Sequence, residues 1–159
     1  MSTVGRRDGA EPEPHARGTT NTTDKPAVLF VCVKNGGKSQ MAAGLMAQRA
    51  GDAVQVRSAG TKPGTAVNGL SAEALAEVGV DISGETPKSV TEQMVRDADV
   101  VVTLGREAHV EQVPGTDFEN WDTDEPFERG IDGIERMRLV RDDIARRVDD
   151  LYARLNSPS

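Results

Sequence analysis

Three stretches of the chain have the apolar pattern of β-strands. Residues 27–33 form an unbroken apolar run, and residues 99–104 are nearly as apolar, which is typical of strands buried on both faces of a sheet. Residues 54–58 instead alternate apolar and polar side chains with the period of two that strands show. The pattern therefore predicts three strands, two of them deeply buried.

Two longer stretches have helical periodicity. Residues 39–50 are rich in Ala, Met and Gln and follow directly after a glycine-containing loop. Apolar residues then recur every three or four positions from 131 to 155, which predicts a long amphipathic helix at the C-terminal end.

Two shorter helices are indicated by their end signals. Residues 70–78 are predicted as a helix with Ser71 as its N-cap and Gly79 just past its end. A serine at 89 and a glutamate at 92 have the spacing of a capping box and predict a helix that runs to about residue 98.

Strands that alternate with helices indicate an α/β protein with a parallel sheet. We expect a three-layer sandwich with a small central parallel sheet, and ligands in such folds bind at the carboxyl ends of the strands. Cys32 stands at that end of the first strand. Residues 1–25, dominated by Gly, Pro, Thr and charge, are predicted to be a disordered tail, followed by one folded domain over residues 26–159.

Composition narrows the classes of function. The 159 residues carry a net charge of −7 with a pI near 4.9, which argues against binding to nucleic acid or to an anionic membrane. No apolar run approaches the roughly 20 residues of a membrane span, and no secretory signal is present, so we expect a cytoplasmic protein. The single cysteine excludes an internal disulfide and a structural zinc site supplied by cysteines, and no metal is expected.

The loop after the first strand is the main candidate for chemistry. Its residues are Cys32, Val33, Lys34, Asn35, Gly36, Gly37, Lys38 and Ser39. Two glycines allow successive N–H groups to turn inward, and such a nest joined to a helix N-terminus binds anions. Lysine side chains and the helix dipole favour the thiolate of a cysteine beside the nest, so Cys32 is the predicted nucleophile of an enzyme.

The same residues permit a rival interpretation. Gly37, Lys38 and Ser39 match the end of a Walker A motif, but Cys32 stands where that motif begins with glycine. The second buried strand ends without the aspartate that would hold Mg²⁺ in a nucleoside triphosphatase. A degenerate oxyanion- or NTP-binding module therefore remains as an alternative.

The loop, with a cysteine, five residues, a cation and a serine, resembles the signature loop of low-molecular-weight protein tyrosine phosphatases. The resemblance is greater to the arsenate reductase branch of that superfamily, specifically to its one-cysteine members that act as arsenate–mycothiol transferases. It covers residues 27–155 and rests on segments 28–32, 39–44, 58–61, 78–83 and 99–104 together with Asn35.

The resemblance implies roles for individual residues. Cys32 attacks the oxyanion, Asn35 shapes the loop, Lys38 neutralises the charge of the oxyanion, and Ser39 donates a hydrogen bond to the thiolate and can also serve as the helix N-cap. The family's acid is an aspartate directly before proline; here Glu125 precedes Pro126, so Glu125 is preferred as the general acid and Asp124 is the alternative.

Two further departures from the family bear on the reaction. The loop cation of the family is usually arginine, and Lys38 lacks its bidentate grip, which argues against efficient phosphomonoester hydrolysis. Thioredoxin-coupled members have two more cysteines, whereas this chain has Gly105 at the first position and no cysteine near Val113.

The sequence therefore predicts an arsenate reductase for arsenic detoxification that transfers arsenate to an external thiol. By resemblance, mycothiol is the first candidate for that low-molecular-weight thiol and glutathione the second, with a glutaredoxin-like redoxin acting downstream and no bound cofactor. A low-molecular-weight protein tyrosine phosphatase remains the alternative enzyme, and the expected state is a monomer or weak dimer.

Overall fold

A computed structural model describes residues 25–156. The predicted disordered tail, residues 1–25, lies outside this range except for Lys25. Within the described part of the chain, no helix is long and apolar enough to cross a membrane.

Four parallel strands form one sheet. They are β1 (Ala27–Cys32), β2 (Gln55–Gly60), β3 (Val100–Leu104) and β4 (Asp117–Trp121), in the spatial order β2-β1-β3-β4. The strand order reverses between β1 and β3, and ligand crevices form at such a point. Cys32, at the carboxyl end of β1, therefore lies where the topology opens a cleft.

Four α-helices cover the sheet. They are α1 (Lys38–Ala50), α2 (Gly69–Ala76), α3 (Glu92–Asp97) and α4 (Gly133–Leu155), with short 3₁₀ turns at Gly51–Ala53 and Pro126–Arg129. The positive φ of Gly79, 84°, lies just beyond α2, where a helix-ending glycine was predicted.

Two hydrophobic cores account for the three layers. One face of the sheet, which includes Phe30 and Val102, packs against α1, α2 and α4. The core on that side also contains Ile144 of α4, which is fully buried. The other face, including Val31 and Val101, packs against α3 through Val95. The predicted three-layer α/β sandwich with a small central parallel sheet is confirmed.

The local predictions differ from the structure in three places. β4 was not predicted, because Asp117, Glu119 and Asn120 make it polar and it pairs only with β3 at the edge of the sheet. The N-cap of α2 is Asn68, whose side chain accepts from the Ser71 N–H at 2.9 Å, so Ser71 is not the cap. The N-cap of α3 is Thr91 rather than Ser89, and that helix begins two residues later than predicted.

Candidate active site

The backbone of the loop after β1 directs its N–H groups inward. The carbonyls of Cys32, Val33, Lys34 and Gly36 accept hydrogen bonds from the N–H groups of Thr61, Lys62, Gly64 and Asn68 at 2.6–3.0 Å. Because a trans peptide places its N–H opposite its C=O, these bonds to the outer side turn the following N–H groups toward the cavity. Inward N–H groups are the arrangement that an anion-binding nest requires, and we call residues 32–39 the nest below.

Two glycines allow the loop and its neighbour to lie this close together. A Cβ on Gly36 would lie 2.9 Å from the Ala66 carbonyl oxygen, and one on Gly60 would lie 2.6 Å from the Val33 carbonyl oxygen. Side chains at either position would push the supporting segment away from the loop.

Cys32 lies at the centre of the nest and is 8% exposed. Its Sγ lies 2.9 Å from Ser39 Oγ, and the Asn35 N–H donates to the same sulfur at 3.2 Å. The N-terminus of α1 begins six residues later, at Lys38, and its dipole adds a partial positive charge. Two hydrogen-bonding groups and the N-terminal end of a helix therefore surround the sulfur.

Asn35 organises the loop from a strained position. It is fully buried, and its φ of 55° places it in the left-handed region. Its Oδ1 accepts from the Lys88 N–H at 3.0 Å and from Gln40 Nε2 at 3.3 Å, so its Nδ2 faces Ser39 Oγ at 2.8 Å. Since Ser39 Oγ accepts there, its own proton is directed to Cys32 Sγ.

The hydroxyl of Ser39 is therefore not a helix cap. The N-cap of α1 is Gly37, with no side-chain hydrogen bond, so the expected capping role of Ser39 is wrong. Its full burial between Cys32 and Asn35 also leaves the hydroxyl unlike the exposed metal ligand that a Walker A loop presents.

Lys38 and Glu125 form an ion pair across the mouth of the nest, from Lys38 Nζ to Glu125 Oε2. Lys38 comes from the first residue of α1, and Glu125 comes from the segment after β4. The structure thus brings together the predicted cation and the preferred acid, which are 87 residues apart in the chain.

The Asp124 side chain does not face the cavity over Cys32. Its carboxylate accepts from both terminal nitrogens of Arg129 at 2.8 and 3.2 Å, and this side-chain hydrogen bonding lowers the pKa of Asp124 below its usual value. Asp124 does not line the cavity over Cys32, whereas Glu125 does. The geometry therefore favours Glu125 over Asp124 for contact with a bound oxyanion.

Helix α4 fixes the segment that carries Glu125. Asp143 Oδ2 accepts from the Asp124 N–H at 2.9 Å and from Arg147 Nε at 3.1 Å, while Arg147 Nη2 donates to the Asp122 carbonyl at 3.0 Å. Asp143 is 8% exposed. One buried carboxylate and one arginine thus hold the backbone on both sides of Thr123.

The cavity over Cys32 has a volume of about 460 Å³. Leu104, Gly105 and Arg106 line its wall at the end of β3. Arg106 pairs with Asp122 at 3.1 Å, and the hydrogen bond to that carboxylate raises the pKa of Arg106. A Cβ on Gly105 would meet nothing nearer than Lys38 Nζ at 4.0 Å, so this wall is open. Among residues 25–156, no group of three or more His, Cys, Asp or Glu side chains is placed to hold a metal ion.

Aromatic side chains are absent from the described lining of this cavity. Trp121 is 4% exposed, lies 5.6 Å from Phe30 between ring centroids, and donates to Glu119 Oε1. The Trp121 ring therefore packs in the core and does not line the cavity.

Sequence reasoning missed three supports of the site. Gln40 is 2% exposed and donates to both the carbonyl and the side chain of Asn35, the Lys88 N–H orients that same amide, and Asp143 anchors the acid segment. Gln40 follows Ser39 directly, and a glutamine beside buried apolar positions is a usable signal. The other two depend on tertiary contacts.

Comparison with protein families gives one clear match. Residues 27–158 match the sequence model of the low molecular weight phosphotyrosine protein phosphatase family. A putative arsenate reductase of Halobacterium salinarum is 33% identical over 80% of this chain and 91% of that protein. A glutaredoxin arsenate reductase of Synechocystis is also 33% identical, over 81% of this chain and 98% of that protein.

Solved structures agree with these relatives. A thioredoxin-dependent arsenate reductase of Corynebacterium glutamicum superposes with a TM-score of 0.72 and 34% identity over 84% of this chain. This chain spans only 63% of that protein. An arsenate reductase in its phosphate-binding state gives a TM-score of 0.70 and 31% identity, over 82% of this chain and 99% of that structure.

Proposed function

The chain belongs to the low molecular weight phosphotyrosine protein phosphatase family, and we propose that within it the protein is an arsenate reductase whose nucleophile is Cys32. The observation that carries this proposal is the nest itself, in which inward N–H groups, Ser39 and Asn35 surround one buried cysteine below a cavity open at Gly105. The phosphate-binding state of a structural relative supports a tetrahedral oxyanion as ligand.

In the first step Cys32 attacks arsenate. The thiolate forms a sulfur–arsenic bond while one arsenic–oxygen bond breaks, and the departing oxygen leaves as water after taking a proton. The loop N–H groups hold the remaining oxygens at the positions where negative charge develops. Arsenic stays in its pentavalent state.

Lys38 and Glu125 act in sequence. An arriving dianion attracts the Lys38 ammonium away from Glu125 by Coulomb attraction at short range. Glu125, released from Lys38, is then the general acid that delivers a proton to the departing oxygen. The resting ion pair thus keeps both groups at the mouth of the nest until substrate arrives.

The second step uses an external thiol, because the chain contains one cysteine. The thiol sulfur attacks arsenic, the bond to Cys32 breaks, and Cys32 returns as thiolate or thiol. No redox change occurs in this transfer. A redoxin thiol then attacks the sulfur of the released adduct, so that two electrons pass to arsenic, arsenite leaves and a mixed disulfide forms.

Mycothiol is the first candidate thiol and glutathione the second, with a glutaredoxin-like redoxin downstream. The name of the Synechocystis relative supports a glutaredoxin as partner. The space beside Gly105, next to Lys38, leaves room in the cavity over Cys32 for an incoming thiol sulfur.

Phosphotyrosine hydrolysis is less well supported. The cavity lining lacks an aromatic side chain among the described residues that would stack on a tyrosyl ring, and Lys38 offers one point charge where arginine offers two hydrogen bonds.

Turnover of arsenate with mycothiol, glutathione and thioredoxin supplied in turn tests the proposal. We expect arsenite formation with a small thiol and a glutaredoxin-like partner, none with thioredoxin and its reductase alone, and none with the Cys32→Ser variant. Mass spectrometry of the quenched reaction should detect a thiol–arsenic adduct in solution. Steady turnover with thioredoxin as the sole thiol source, or rapid phosphotyrosine cleavage without arsenate turnover, contradicts it.

A further inference from the structure

A second cavity adjoins the nest. It has a volume of about 670 Å³ and shares Lys34, Gly37 and Lys38 with the cavity over Cys32. Its other walls come from the segment after β2, residues 62–68, and from the first turns of α4. We call it the cationic cleft, after Lys34, Lys62 and Arg136, which line it.

Arg136 is an exception among the arginines. Every other arginine of residues 25–156 forms an ion pair with a carboxylate. Arg136 has no such partner in that range, and its Nε is buried without a hydrogen bond. Its guanidinium instead lies over the Phe127 ring, 5.4 Å from the centroid. A guanidinium that lines a cleft without a carboxylate partner is available to an acceptor group supplied by a ligand.

Of the three lysines that line the cleft, Lys38 pairs with Glu125, whereas Lys34 and Lys62 have no carboxylate partner among the described residues. Acidic side chains nevertheless outnumber basic ones, 26 to 19, in the whole chain. Three unpaired cations around one cavity of an acidic protein are not explained by internal ion pairing. They give the cleft an excess of hydrogen-bond donors, and one of them, Lys34, also lines the cavity over Cys32.

The floor of the cleft is apolar. Met41 and Val140 are buried there, and Met137 is half-buried with its sulfur 3.5 Å from Ser71 Oγ. A concave site with an apolar floor and a few directed polar groups is the usual form of a small-molecule site.

We propose that the cationic cleft binds the body of the low-molecular-weight thiol, with Arg136, Lys62 and Lys34 donating hydrogen bonds to its acceptor groups. The proposal rests on the proposed function, because only a transfer to an external thiol requires a second ligand beside the nest. The shared chemistry is an acceptor-rich thiol. Its acceptors are carboxylates in glutathione and amide carbonyl and hydroxyl oxygens in mycothiol.

Bound in this way, the thiol is positioned for the transfer step. Its sulfur reaches across the shared wall at Lys34 and Lys38 to the arsenic atom, forms the sulfur–arsenic bond, and displaces Cys32. The thiol proton leaves with the returning Cys32 sulfur or to solvent. Holding the thiol in place raises its effective concentration at the arsenic atom.

Equilibrium binding and kinetics together test the proposal. S-methyl glutathione and S-methyl mycothiol, which cannot react, are titrated calorimetrically into the full chain and into the Arg136→Gln and Lys62→Ala variants. We expect Arg136→Gln to weaken binding by about tenfold, the effect of losing a charged hydrogen bond. The KM for the reactive thiol should rise by a similar factor while the KM for arsenate stays unchanged.

Arg96→Gln is the matched control. It also removes one positive charge, but Arg96 pairs with Glu92 on α3, on the opposite face of the sheet. If Arg136→Gln weakens the binding of S-methyl glutathione alone, Arg136 recognises a carboxylate. If it weakens the binding of both ligands, Arg136 recognises neutral acceptors as well.

The outcomes separate the cleft from the proposed function. If Arg136→Gln and Lys62→Ala both turn over arsenate with the thiol KM of the parent chain, the proposal for the cleft is wrong and the proposed arsenate reductase activity stands. Binding of S-methyl thiols that depends on Arg136, without any arsenate turnover, supports the cleft and overturns the reaction. No binding of either S-methyl thiol to the parent chain overturns the cleft.

Discussion

Replacing Glu125 with glutamine removes a proton donor and a charge while keeping the size of the side chain. In the resting structure Glu125 pairs with Lys38, and both side chains are partly exposed, 30% and 24%. The free energy of unfolding of the variant should therefore lie within about 1 kcal/mol of the parent value, because ion pairs this accessible to water contribute little to stability.

The chemical step should change far more. If Glu125 donates the proton to the departing oxygen, its loss slows formation of the Cys32–arsenic adduct by about 10²–10⁴-fold. Arsenate binding should not weaken, because Lys38 no longer has a competing carboxylate. A large fall in kcat with an unchanged or lower KM for arsenate is therefore expected.

Rapid-quench measurement of adduct formation in a single turnover is the suitable assay, because steady-state rates combine the first step with the later attack by the thiol. Asp124→Asn is the control. Its carboxylate pairs with Arg129 away from the cavity, and the backbone N–H of residue 124 remains bound to Asp143. A larger loss in Asp124→Asn than in Glu125→Gln refutes the assignment, and no loss in either variant excludes this segment from the chemistry.

The remaining predictions concern the loop cation, the acid segment and pH. Lys38→Arg should raise hydrolysis of an aryl phosphate by restoring a bidentate grip, and Lys38→Ala should weaken arsenate binding measured by calorimetry. Asp143→Ala should lower the free energy of unfolding by about 2–3 kcal/mol in urea, because it leaves buried donors of Asp124 and Arg147 unpaired. The pKa of Glu77 is lowered from 4.5 to about 2, first by a hydrogen bond from Arg138. The stability that this ion pair contributes is present above pH 4.5 and is lost as the pH falls toward 2. The melting temperature of Glu77→Gln should therefore depend less on pH in that range than the melting temperature of the parent.

Each of these has a contradicting result. Lys38→Ala with arsenate affinity equal to the parent places Lys38 outside the site. Asp142→Ala is the neighbouring control for Asp143, since Asp142 is exposed and pairs with Arg141; equal destabilisation by the two changes removes the special role of Asp143. A Glu77→Gln variant with the same acid dependence as the parent contradicts the pairing with Arg138 in solution.

The sequence was sufficient where local patterns and burial agree. β1 and β3 are apolar because both of their faces are covered, and α4 has a single apolar stripe because one face meets the sheet. The loop between β1 and α1 is specified by its own glycines and by Asn35, so Cys32, Lys38 and Ser39 could be placed from residue order alone.

Tertiary contacts decide what the sequence left open. β4 carries polar residues because it lies at the sheet edge, where only Trp121 is buried, so its pattern is that of a loop. Glu125 and Asp124 are adjacent, and either carboxylate could have faced the nest. Asp143, on a distant helix, holds the backbone at Asp124 so that the next side chain faces Lys38.

The replacement of arginine by lysine and the single cysteine are connected under the proposed reaction. Lys38 has one ammonium group, so it can neutralise Glu125 or a bound oxyanion strongly, but it lacks the fork by which arginine holds two oxygens at once. An arsenic adduct held less rigidly leaves room for an incoming sulfur, and Gly105 leaves the wall open. A chain without a second thiol needs both features, because its adduct must remain accessible until an external thiol arrives.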